Sequence, residues 1–154
     1  MAVPIVVPDA SVILKWMLQG ADEESRDPAL ALKDAWLEGA IEIVVPTLWI
    51  FEVGNVLGLK QPAKAEVLLQ TVVDLALPEE SAAAYATSIL RVMREHGVTF
   101  YDAAYHALAI VRQGTMLTAD RRYVKRTAAA GHVHLIADWV PPAASRIGDN
   151  RPRR

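Results

Sequence analysis

At 154 residues, 53% of them apolar and four of them tryptophan, the chain is long enough for one domain with its own core and too apolar for a disordered segment. Sixteen Lys and Arg against eighteen Asp and Glu leave it nearly neutral, which excludes gripping nucleic acid by bulk charge; any such surface is a local patch. Cysteine is absent, excluding disulfides, thiolate nucleophiles and Cys-ligated zinc.

The apolar opening over 2–8 lacks a basic start, contains two prolines and meets Asp9 too early to span a bilayer, so a cytoplasmic protein is expected. Within it, Ile5–Val7 reads as a short, continuously apolar strand of a parallel sheet, followed by a helix over Ser11–Leu18. "QGADEESRDP" reads as a polar connector that supplies Asp27 as N-cap and Pro28 as first residue of a helix running to Glu38, ended by Gly39. "IEIVVP" (41–46) is predicted as a second strand, 47–60 as a helix and 62–70 as another. "VVDLAL" (72–77) reads as a third strand, and Pro78 opens a long helix through Glu95. Gly97, Gly114 and Gly131 each fit a left-handed helix C-cap, and the strands "TMLT" and "HVHLIA" follow the last two. Alternating strands and helices define an α/β domain with a mainly parallel sheet over 1–140, trailed by a Pro-, Gly- and Arg-rich tail over 141–154.

In such a sheet, ligand sites collect beyond the carboxyl ends of the strands. Four acids fall there. Asp9 ends the first strand, Glu52 lies in "PTLWIFEVGNVL", Asp102 opens the helix of "TFYDAAYHALA", and Asp120 follows "TMLT". Each also has a structural reading. Asp9 and Asp120 occupy N-cap positions, Thr99 and Asp102 match a capping box, and Glu52 can snorkel to solvent. Taken together, carboxylates held close repel one another, and a hard divalent cation such as Mg²⁺ or Mn²⁺ relieves that repulsion. Such an ion admits a phosphodiester to an otherwise repelling pocket and activates water to attack it.

The segments "VVPDASVILKW", "PTLWIFEVGNVL", "TFYDAAYHALA" and "LTADRRYVKR" resemble, in order, the PIN-domain family, and within it the VapC-like toxins; the resemblance spans about residues 3 to 140. It implies an α/β/α sandwich, a Mg²⁺- or Mn²⁺-dependent endoribonuclease and inhibition by a small antitoxin protein. Asp9, Glu52, Asp102 and Asp120 match the family's acidic quartet, with Asp9 and Asp102 the positions most directly tied to metal. Ser11 and Thr118 match polar positions near its centre. The implied reaction is hydrolysis by metal-activated water, leaving 5′-phosphate and 3′-hydroxyl ends; one or two ions are both compatible.

Arg121 and Arg122, beside Asp120, are the best candidates for phosphate contacts, with Lys15 as a further one; a solvated helix face or a surface ion pair explains them equally. His106 shares a helix face with Asp102 and is assigned to packing or to supporting the site; His132 and His134 alternate on a strand; His96 sits at a helix C-terminus. Trp49 reads as core, whereas Trp16 and Trp36 either pack or line an apolar groove for the antitoxin, and a homodimer contact is expected. Two rivals stand: a receiver or phosphoaspartate hydrolase, against which "DAS" lacks the adjacent acids or Asp-x-Asp, and a non-catalytic module that uses its carboxylates as caps. No P-loop or Rossmann glycine pattern occurs.

Overall fold

The computed structural model describes residues 2–19 and 23–143. Residues 20–22 of the connector, and 144–154 of the tail with its terminal "RPRR", lie outside the described residues. Strand β1 (Ile5–Pro8) leads into α1 (Ala10–Lys15), then α2 (Glu23–Leu37), β2 (Glu42–Ile43), β3 (Val45–Pro46), α3 (Trp49–Lys60) and α4 (Ala65–Val73). After β4 (Glu79–Glu80) and a 3₁₀ turn (Ala82–Tyr85) come α5 (Ala86–His96), α6 (Phe100–Val111), β5 (Thr115–Thr118), α7 (Arg121–Thr127) and β6 (Val133–Leu135).

The main sheet has the order β2-β1-β5-β6 with every pairing parallel; β3 and β4 form a separate parallel pair. Helix α6, with α5 against it, packs on β1 and β5, and α1 packs on the same strands beside α2, giving the expected α/β/α layering. β1 is buried from Val6 onward because helices cover both faces, as its unbroken apolar run requires. The chain leaves β1 towards β2 on one side and returns to β5 on the other. The order therefore reverses between β1 and β5, and a crevice opens beyond their carboxyl ends.

Four elements differ from the sequence reading. Helix α2 begins at Glu23, with Pro28 inside it as the sixth residue; a proline there forgoes the bond to the carbonyl of Glu24, and Trp16 Nε1 donates to Ala29 O at 2.8 Å, tying α1 to this turn. The run 41–46 is not one strand. Val44 N donates to Val6 O at 3.2 Å in the main sheet, and Val45 N donates to Pro78 O at 2.9 Å in the small one, so the chain changes partners between them. Residues 72–77 are not a strand: Ala65, Leu68, Leu69 and Val72 form a helical stripe against the core, and α4 runs to Val73 before a turn with Ala76 at φ 52°. The segment after Pro78 is held extended by β3 and by Trp49 Nε1, which donates to Glu79 Oε1 at 2.6 Å, so the helix starts only at Ala86.

Gly97 is the expected left-handed cap, with φ 63° and its N–H on Met93 O at 2.8 Å. Gly114 is not. Gln113 takes the left-handed conformation (φ 54°), and Gly114 is needed for space, since a Cβ there would stand 2.5 Å from Ile5 O. Gly131 has positive φ but an extended ψ of −167°, and closes a 3₁₀ turn.

Gly114→Ala is therefore expected to destabilise the fold by about 1–3 kcal/mol. Gly58→Ala, on an exposed turn of α3 with nothing within 4 Å of the new Cβ, is expected to stabilise it by about 0.5–1 kcal/mol. Denaturant unfolding of both variants checks the pair.

Candidate active site

Asp9 sits one residue past β1, with its N–H on Leu117 O at 3.0 Å, so the sheet ladder fixes its backbone. It caps α1: the carboxylate accepts from Val12 N at 3.2 Å and from Ser11 Oγ at 2.5 Å. Ser11 Oγ in turn accepts from Ala119 N at 3.0 Å, and the Thr118 hydroxyl, close enough to favour the Asp9 charge, accepts from Asp120 N at 3.1 Å. Two hydroxyls thus join the ends of β1 and β5. Asp120 caps α7, accepting from Arg122 N at 2.9 Å and Tyr123 N at 3.1 Å. Both N-cap expectations hold.

Asp102 and Glu52 are not caps. Thr99 caps α6, its Oγ1 accepting from Asp102 N at 3.2 Å. That leaves the Asp102 carboxylate half-buried at the mouth of the crevice. Glu52 lies in the first turn of α3, where its Oε1 is buried without a hydrogen-bond partner. The Tyr105 hydroxyl, likewise buried and unpaired, is near enough to lower the cost of the Glu52 charge but does not reach hydrogen-bond geometry.

The electrostatics record the crowding. Burial pushes Asp9 up to about 6; the Ser11, Thr118 and Val12 hydrogen bonds oppose that rise, and Asp102 adds to it. Burial likewise raises Glu52, with Asp102 and Asp9 adding repulsion, and raises Asp102, with Asp120 adding. The four acids, from four separate segments, are thus linked through Asp102: Asp9, Glu52 and Asp120 each pair with it, and Asp9 and Glu52 also with each other.

Among the described residues, no three His, Asp or Glu side chains already form a group able to hold a metal ion. The chemistry of the set still fits a hard divalent cation: its donors are all oxygen, three of its carboxylates resist ionising, and one buried oxygen has no partner. The carboxylates face a common edge rather than a finished cage.

Two cavities meet at Asp102. One, of about 240 Å³, is lined by Thr99, Asp102, Asp120, Arg122, Tyr123 and Arg126 among others. The other, of about 640 Å³, is lined by Leu48, Phe51, Glu52, Asn55, Thr99, Tyr101 and Asp102. Of the two arginines singled out in the sequence, Arg122 faces the first cavity, whereas Arg121 pairs with Glu24 at 3.0 Å. Helical rotation between adjacent residues separates them. Arg126, not singled out, lines the same cavity four residues on, the i+4 position that could have flagged it. Lys15 lines a separate pocket with Ser11, Arg26 and Lys60.

His106 is fully buried. Its Nε2 lies 2.7 Å from Gly131 O and must carry the proton, so Nδ1 accepts from Tyr123 OH at 3.0 Å. It ties α6 to α7 and supports Tyr123, as expected of a packing residue. His132 precedes β6 at φ 57° and bonds Gly114 O through Nδ1 at 2.8 Å, so it does not share a strand face with His134. Trp36 lines a cleft near the start of β1 with Val3, Ile5 and Ile41, away from the carboxylates, while Trp16 braces α2.

The chain belongs to the PIN domain family, whose model matches residues 6–130. Solved structures agree in fold. PAE2754 from Pyrobaculum aerophilum is 26% identical with a TM-score of 0.61, over 88% of this chain and 91% of that one. A toxin–antitoxin complex from Klebsiella pneumoniae is 16% identical, TM-score 0.62, over 85% and 97%. The Mycobacterium tuberculosis VapC20, a sarcin–ricin-loop-cleaving toxin, is 16% identical, TM-score 0.62, over 89% and 99%. No curated protein matches. Among the described residues, no helix is long and apolar enough to cross a membrane.

Because burial raises Asp9 in the folded state, the stability it contributes is full below its ordinary 3.8 and is lost as pH rises through about 6. Asp9→Asn keeps the accepting oxygen and removes the buried charge. Melting of the metal-free variant at pH 7.5 is expected to show a gain of about 1–3 kcal/mol over the parent, and none at pH 3.5.

Proposed function

We propose that this protein is a Mg²⁺- or Mn²⁺-dependent endoribonuclease, the toxin of a toxin–antitoxin pair. The observation that carries the reading is the mutual repulsion of Asp9, Glu52, Asp102 and Asp120 at the β1/β5 crevice of a PIN-family chain. The activity in the name of the Mycobacterium tuberculosis relative and the assembly in that of the Klebsiella pneumoniae one support the same class.

Asp9 and Asp102 would hold the ion most directly, with Glu52 and Asp120 completing its surroundings. A bound divalent ion supplies charge neutralisation at the phosphoryl oxygens and lowers the pKa of water. The chain does the rest. Ser11 and Thr118 hold the Asp9 carboxylate in one orientation. Glu52, whose proton affinity is raised by burial, accepts the proton from the attacking water. Arg122 and Arg126, in the cavity with Asp102 and Asp120, bind phosphates flanking the scissile one. Lys15, and Arg121 once freed of Glu24, add weaker electrostatic attraction.

Neither cavity is lined by a histidine, and His106 is committed to Tyr123 and Gly131. Hydrolysis leaving 5′-phosphate and 3′-hydroxyl ends therefore suits the site better than attack by a ribose 2′-hydroxyl, which needs an acid–base pair. An antitoxin protein would silence the site by covering the crevice. The apolar Leu59 and Val67, exposed on α3 and α4, are the surface to examine for a homodimer contact.

The capping roles of Asp9 and Asp120 favour a second reading, a non-catalytic module whose acids serve only the fold. Asp102, which caps nothing, separates the two. Cleavage of single-stranded RNA with Mn²⁺ is expected to stop with EDTA and to fall on the order of 100-fold or more in Asp102→Asn, which should fold normally. Mn²⁺ is expected to raise the melting temperature of the parent and not of that variant. RNA left intact by the parent in Mn²⁺ would return the acids to a purely structural role.

Arg122→Ala is expected to weaken RNA binding several-fold and to shallow its salt dependence, leaving the Mn²⁺-induced melting shift unchanged. Filter binding at two salt concentrations, beside a melt, measures both.

A further inference from the structure

The two helices that bound the larger cavity open with the same pair of residues, an exposed aromatic followed by a half-buried acid. On α3 it is Phe51–Glu52, and on α6 it is Tyr101–Asp102, each in the first turn. Phe51 is 77% exposed and Tyr101 61% exposed. One such side chain alone would be ordinary, but these two line one cavity together with the carboxylates. Asn55 follows Phe51 by one helical turn and lines the same space.

We propose that this cavity is a nucleobase site: Phe51 and Tyr101 stack on an unpaired base of the RNA strand beside the scissile phosphate, and Asn55 reads the base's edge. The inference rests on the nuclease reading and extends it to how the substrate is positioned. The cavity, at about 640 Å³, lies within the usual size of a small-ligand site. A base is planar, presents a π-face to each aromatic and offers N–H donors at its edge to the Asn55 carbonyl. An aliphatic anchor from a protein would instead leave the Asn55 amide without a polar partner. A base in this cavity would bring its own phosphate towards Thr99 and Asp102, the two residues shared with the cavity that holds Arg122 and Arg126.

Single-stranded oligoribonucleotides carrying 2-aminopurine at successive positions test this, first bound with Ca²⁺ at equilibrium, then cut with Mn²⁺. For the parent, one position is expected to show strong quenching. Phe51→Ala and Tyr101→Ala should lose that quenching and bind about 5- to 100-fold more weakly, while Tyr101→Phe retains both. An abasic nucleotide at that position should weaken the parent as much as the alanine substitutions do, and weaken those variants no further. Melting temperatures should be unchanged, since both side chains are exposed.

Alanine variants that bind and quench like the parent, or an abasic loss of equal size in parent and variants, overturn the base site and leave the cavity to a protein partner. A parent that does not bind these strands overturns it as well. A parent that binds in the expected way yet never cuts supports the base site and removes the nuclease reading. One that cuts while the alanine variants bind and cut equally well overturns the base site alone.

Discussion

The structure depends on keeping a carboxylate in a place where water barely reaches. Asp9 follows directly from a central strand buried from Val6 onward, and desolvation there outweighs the hydrogen bonding that favours its charge. The fold tolerates this because those bonds come from groups that also close the crevice. Ser11 and Thr118 each use one hydroxyl to meet Asp9 and to receive a backbone N–H from the end of β5. Removing either would take a partner from the carboxylate and from a backbone N–H at once, so the site and the end of β5 are one hydrogen-bonded unit. The surrounding core, from Val7 and Ile13 to Leu108 and Leu117, supplies the stability against which the strained carboxylates are held.

The parts of this arrangement legible in the sequence were those governed by local chemistry. An unbroken apolar run marked β1, the glycine before it marked β5, Thr99 marked the start of α6, and Gly97 marked the end of α5. Glu52 stood out because it interrupts an apolar helix, and its buried, unpartnered oxygen is the structural counterpart of that incongruity. What escaped was set by partners distant in the chain. Two-residue strands such as β3 and β4 exist only because each captures the other, and nothing within "VP" or "EE" announces it. The 72–77 run is apolar enough for either state; α4 wins because Leu68, Leu69 and Val72 share one face against the core.

The same limit applies to the site. Adjacent arginines are indistinguishable in composition, but rotation about α7 turns Arg122 into the cavity and leaves Arg121 with Glu24. Tyr105 and Tyr123 carried no functional signal of their own, although both follow an acid of the quartet by three residues and so share its helical face. Their raised proton affinities, driven first by burial, keep both hydroxyls neutral next to the carboxylates, where a second negative charge would be untenable. Tyr123 in turn needs His106 in its Nε2–H form, which links the floor of the crevice to the turn at Gly131.

The near-contact between Gly114 and Ile5 has a consequence at the far end of the strand. β1 is only four residues long, about 13 Å, and Gly114, just before its neighbour β5, is pressed against its first carbonyl at a distance that admits hydrogen but no carbon. Since side chains alternate along a strand, sliding by one residue would turn Asp9 away from Asp102 and towards the opposite helical layer. The alignment of an acid with its partners is thus guarded by a residue that has no side chain and stands at the other edge of the sheet.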